Sequence, residues 1–80
     1  MTREEIARLV ASTISVVLKR PIDPSHDISR RSIESWDSLK HVEIMLSIEE
    51  SLGVEFSEQE FAELDSLAAL VDAANRHHAA

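Results

Sequence analysis

Apolar residues at positions 6, 9, 10, 14, 17 and 18 recur at intervals of three and four, which lines them along one face of a first helix. Thr2-Arg3-Glu4-Glu5 opens that helix as a capping box, with Thr2 at the N-cap and Glu5 reaching back from the third helical position. Thr13, Ile14, Val16 and Val17 are β-branched and lower the local helix propensity, but their period is helical and burial of the stripe outweighs the cost. Pro21 ends the helix, because its ring clashes with a helical turn and it has no N–H to donate.

Between residues 20 and 36 the pattern breaks. Pro21, Asp23, Pro24, Ser25, Asp27, Ser29, Ser32 and Ser35 give a loop composition, interrupted by Ile28, Ile33 and Trp36. A loop of this length is unusual in a small domain unless it is functional or fastened to the core, and the three apolar side chains are the natural fasteners. Helical spacing resumes from Ser38, with Leu39, Val42, Met45, Leu46, Ile48 and Leu52 as the apolar set, Glu43, Glu49 and Glu50 facing solvent, and Gly53 as the stop. A short third helix starts at Ser57, capped reciprocally by Glu60 and stapled by Phe56 and Phe61. Asp65-Ser66 precede Leu67, Leu70, Val71 and Ala74, the stripe of a last helix, after which residues 75–80 are expected to fray. No strand-like alternation or internal repeat competes with this pattern. The prediction is an all-α four-helix bundle, three helices longer and one short, with a long first loop and a single domain over residues 1–80.

Composition narrows what such a bundle does. The chain has 80 residues and no cysteine, which leaves room for one small core and excludes disulfides, thiolate metal sites and a thiol nucleophile of its own. Thiol chemistry therefore has to come from a cofactor. No apolar run is long enough to span a bilayer and Met1–Glu5 lack the apolar stretch of a signal peptide, so a cytoplasmic protein without membrane insertion is expected. The net charge of −7 is unevenly spread: residues 1–40 hold seven Lys or Arg against six acids, whereas residues 42–75 hold nine acids and no Lys or Arg. That half repels nucleic acid and attracts partners with basic patches.

The chemistry concentrates in Trp36-Asp37-Ser38-Leu39-Lys40-His41-Val42-Glu43, where a serine stands at the junction of the long loop and an acidic amphipathic helix. By itself Asp-Ser-Leu is a weak signal, and an isolated copy is usually a cap followed by an ordinary helical serine. A helix start does suit a phosphate, through its unpaired N–H groups and the positive end of the helix dipole. Ser38, His41 and Asp37 as a nucleophilic triad would need an oxyanion hole and mutual hydrogen bonding that neighbours on one short segment rarely supply. His26, His41, His77 and His78 lack the spacing and the outer partners of a metal site, so none is expected.

Asp-Ser-Leu with Val42, Glu43, the pair Glu49-Glu50, Gly53, Phe56 and the Ser57-to-Ala74 region closely resembles the acyl carrier proteins, over nearly the whole chain. The resemblance implies that Ser38 is esterified by 4′-phosphopantetheine from coenzyme A, with Asp37 and Leu39 beside the attachment, and that the arm's thiol holds acyl groups as thioesters. It implies a discrete, monomeric carrier that catalyses nothing itself and serves fatty-acid, polyketide or related biosynthesis. Its partners would be a phosphopantetheinyl transferase and acyl-loading, condensing and acyl-transfer enzymes with basic patches, meeting Lys40, His41, Glu43, Leu46, Glu49 and Glu50, with Ile44 near the arm. Leu39, Met45, Phe56, Phe61 and Val71 are core positions that the family also uses around a sequestered chain. Lys40, His41, Trp36, Ser35 and the position of Ile33 depart from the pattern of fatty-acid carriers, so the loop before Ser38 and the partner surface after it are expected to differ. An aminoacyl, peptidyl or D-alanyl carrier shares the attachment chemistry, and an acidic helical interaction module that never receives the arm is the reading from another class.

Overall fold

In the computed structural model, which describes residues 1–79, four helices follow in order: α1 (Arg3–Leu18), α2 (Ser38–Leu52), α3 (Glu58–Glu63) and α4 (Leu67–Ala79). Both predicted capping boxes form. The Thr2 hydroxyl accepts from the Glu5 N–H at 3.2 Å while the Glu5 carboxylate accepts from the Thr2 N–H at 2.9 Å, and Ser57 and Glu60 repeat the exchange at the start of α3. Gly53 closes α2 in the left-handed region at φ 66°, and its N–H donates to the Glu49 carbonyl. At the end of α1 it is Lys19, at φ 56°, that turns left-handed, and Pro21 two residues later prevents the helix from resuming.

α1 packs against both α2 and α4, which meet each other less extensively. Ile6, Val10, Ile14, Ile44, Met45, Ile48 and Leu70 are fully buried at the centre, with Phe56, Leu67 and Val71 around them. The Ile33 and Trp36 side chains of the long loop are part of this core and Ile28 packs against it, as the apolar interruptions of that segment predict.

α2 departs from the expected inner face. The buried set is His41, Ile44, Met45 and Ile48, whereas Leu39, Val42 and Leu46 are 67%, 43% and 53% exposed. The helix carries apolar residues on two faces, and the face turned to the core includes the histidine. The C-terminal segment also differs: α4 continues to Ala79 instead of fraying from Asn75, because the His77 ring reaches the Glu60 carboxylate at 2.8 Å and meets Phe56 edge-on at 5.2 Å. Ala80 lies outside the described residues.

The loop is tied to the far end of the chain. The Arg30 N–H donates to the Asp65 carbonyl and the Leu67 N–H to the Ile28 carbonyl, both at 2.8 Å, forming a one-rung antiparallel bridge between Ser29 and Ser66. The Asp27 carboxylate accepts from the Ala68 N–H at 2.9 Å, satisfying a donor at the start of α4, and the Ser66 hydroxyl accepts from the Ala69 N–H at 3.1 Å. These ties hold the loop, and with it the entry to α2, against the α3–α4 junction.

Candidate functional site

Ser38 is the first residue of α2 and is exposed. Asp37 is its N-cap: the carboxylate accepts from the Lys40 N–H at 2.9 Å and the carbonyl from the His41 N–H at 2.9 Å, so the turn that presents the serine is fixed from one residue upstream. The first turn of α2 contains no acid. Arg30, eight residues earlier, extends a guanidinium N–H to the Ser38 hydroxyl oxygen at 2.6 Å. The serine hydrogen is not used in that bond and remains available for removal. A phosphate on this oxygen therefore meets a guanidinium, free backbone N–H groups and the positive end of a helix, so the residues present fit a phosphodiester.

Of the residues expected near the arm or facing partners, Leu39, Glu43, Leu46 and Glu50 are exposed on α2 and Lys40 is partly so. Three others differ from expectation. His41 is buried at 4% exposure, with Nδ1 accepting from the Trp36 indole N–H at 3.1 Å and Nε2 donating to the Phe61 carbonyl at 2.7 Å. An indole nitrogen only donates, so Nδ1 must be the acceptor and Nε2 carries the hydrogen. The ring ties the loop, α2 and the end of α3 together and has no face for a partner. Ile44 is likewise buried in the core. Glu49 turns its carboxylate back to accept the Phe56 N–H at 2.7 Å, securing the α2–α3 connection. Met45, Phe56 and Val71 are core residues and Phe61 is partly buried, but Leu39 stands outside, next to Ser38.

Two participants were not legible beforehand. Arg30 is one of an adjacent pair of arginines in a polar loop, which in sequence looks like an ordinary solvated charge. Val42 completes an exposed apolar strip with Leu39 and Leu46, at positions i, i+3 and i+7 of α2, beginning directly after the serine. The strip shares its periodicity with the core face, so spacing does not separate them.

The Ser38 hydroxyl thus stands at a capped helix start, faced by Arg30 and followed by an exposed apolar strip. The sequence profile of the phosphopantetheine attachment site family matches residues 4–74, and the chain belongs to that family. It is a carrier protein of the acyl carrier type, holding 4′-phosphopantetheine covalently. Comparison with curated proteins and with solved structures yields no match.

Proposed function

We propose that Ser38 is the attachment residue and that the protein presents acyl groups, as thioesters on its arm, to the enzymes of fatty-acid, polyketide or related biosynthesis. The observation that carries this reading is the exposed Ser38 hydroxyl at the capped start of α2, with Arg30 on its oxygen. In loading, the serine oxygen bonds to the phosphorus that bears pantetheine in coenzyme A. The pyrophosphate P–O bond breaks, the adenosine bisphosphate half leaves with that oxygen, and the serine proton passes to a base of the transferase. The arm supplies the terminal thiol that this cysteine-free chain lacks. The chain's own part is to hold the attachment point outward and to offer partners Leu39, Val42 and Leu46 with Glu43 and Glu50 alongside. Charge on that face sets encounter rate and partner choice, and the apolar strip completes the short-lived contact. No helix of the described residues is long and apolar enough to cross a membrane.

The test is intact-mass measurement after incubation with coenzyme A and a phosphopantetheinyl transferase. The wild type gains one arm and Ser38→Ala gains none. Addition to the Ser38→Ala protein would move the attachment elsewhere. Loading assays on the holo protein with acyl and aminoacyl donors then identify the cargo.

A further inference from the structure

Arg30 has no structural task that accounts for its side chain. Its backbone is fixed by the bond to Asp65, and the residue is partly exposed. The ion pairs of the described residues join Arg3 to Asp72, His26 to Asp23 and His77 to Glu60, so Arg30 has no carboxylate partner among them. The guanidinium instead ends at 2.6 Å from the oxygen of Ser38. A hydroxyl is a modest acceptor for a full positive charge, and it uses one of the five N–H donors that an arginine has.

We infer that Arg30 is a phosphate clasp for the prosthetic arm: its guanidinium binds the phosphodiester on Ser38 and holds the arm's root against the first loop. The inference rests on Ser38 being the attachment residue. Esterification turns the serine oxygen into the bridging oxygen of a phosphodiester and places two further oxygens, sharing one negative charge, within a bond length of phosphorus. The guanidinium that already touches the bridging atom reaches these without moving its backbone, and exchanges a neutral acceptor for a charged one with fork geometry. The anchor is rigid, because Arg30 and its neighbours are bonded to residues 65–68. Leu39, Val42 and Leu46 are exposed with Arg30 on the Ser38 oxygen, so restraining the first bonds of the arm leaves that strip of α2 open.

The experiment compares the apo and holo forms of the wild type with holo Arg30→Gln and holo Arg30→Lys, each checked for the arm by intact mass. In the wild type, the Arg30 side-chain ¹⁵N–¹H signals shift on loading and exchange more slowly with water. In Arg30→Gln the ³¹P signal of the phosphodiester moves toward that of a phosphopantetheinylated serine in a short unstructured peptide and narrows, while Arg30→Lys falls between the two. The apo–holo comparison uses no variant and so stands even where a substitution disturbs the fold. An arm on Ser38 with Arg30 signals unmoved by loading, and one ³¹P signal common to all three proteins, overturns the clasp alone. A wild type that takes no arm on Ser38 overturns the attachment reading and the clasp with it.

Discussion

A histidine three residues after Ser38 looks, in a polar segment, like part of a titratable surface. Its neighbours decide otherwise: Trp36 supplies a donor that must be accepted, Phe61 a helix-terminal carbonyl that must be satisfied, and one neutral imidazole serves both at 3.1 and 2.7 Å. His41→Leu keeps the apolar volume but leaves a buried indole N–H and a carbonyl without partners. Stability should fall by about 1–3 kcal/mol for each orphaned group, measured by urea unfolding followed through the helical circular dichroism. Adding Trp36→Phe to that variant removes one orphan, so the pair should cost less than the sum of the separate changes. A His41→Leu protein as stable as the wild type would show that the ring bonds contribute nothing.

Elements whose signals are local were readable from sequence. Thr2 with Glu5, Ser57 with Glu60 and Gly53 act within a single turn, and each forms as its spacing predicts. The rotation of α2 was not readable, because Leu39, Val42 and Leu46 follow the same helical period as Ile44, Met45 and Ile48 and only the rest of the fold selects which face is covered. The start of α4 was half readable: Ser66 caps it locally, but the second cap is Asp27, 41 residues away from Ala68 in the chain. Asp27→Ala should cost about 0.5–2 kcal/mol, the range for a lost helix cap, and lower the melting temperature accordingly. Amide exchange should quicken at Ala68 more than at Ala69, which keeps Ser66. Equal effects at the two amides would deny Asp27 a capping role.

Across the whole molecule, the charge balance gives stability an acid limit. Hydrogen bonding from the Ser57 backbone N–H, with a further bond from His77, lowers the Glu60 pKa below its ordinary 4.5. Bonds from Thr2 do the same for Glu5, and bonds from Ser25 lower Asp23 below its ordinary 3.8. A carboxylate with a lowered folded-state pKa binds its proton more readily in the unfolded chain. Its stabilisation is therefore present above the ordinary value and is lost as pH falls through the lowered one. Glu60→Gln retains an oxygen for the Ser57 N–H but no longer titrates. Urea midpoints measured from neutral pH down through this window should fall less steeply for Glu60→Gln than for the wild type; identical slopes would remove Glu60 from the acid response. The sequence showed the capping half of this arrangement. The half that joins His77 to Glu60 came only with α4 extending past Asn75, which a polar tail of adjacent histidines did not announce.

The bridge between Ser29 and Ser66 also decides how small this carrier can be made. Ser38 and all of α2 lie before Gly53, so a peptide ending there contains the Ser38 hydroxyl proposed as acceptor, its Asp37 cap and Arg30. It lacks Asp65, Leu67 and Ala68, whose backbone groups fix the segment from Asp27 to Arg30. Such a peptide would keep the sequence around Ser38 and lose its scaffold, leaving the arginine to find the serine as one conformation among many. A minimal tag that reproduces the proposed attachment site therefore has to include the start of α4.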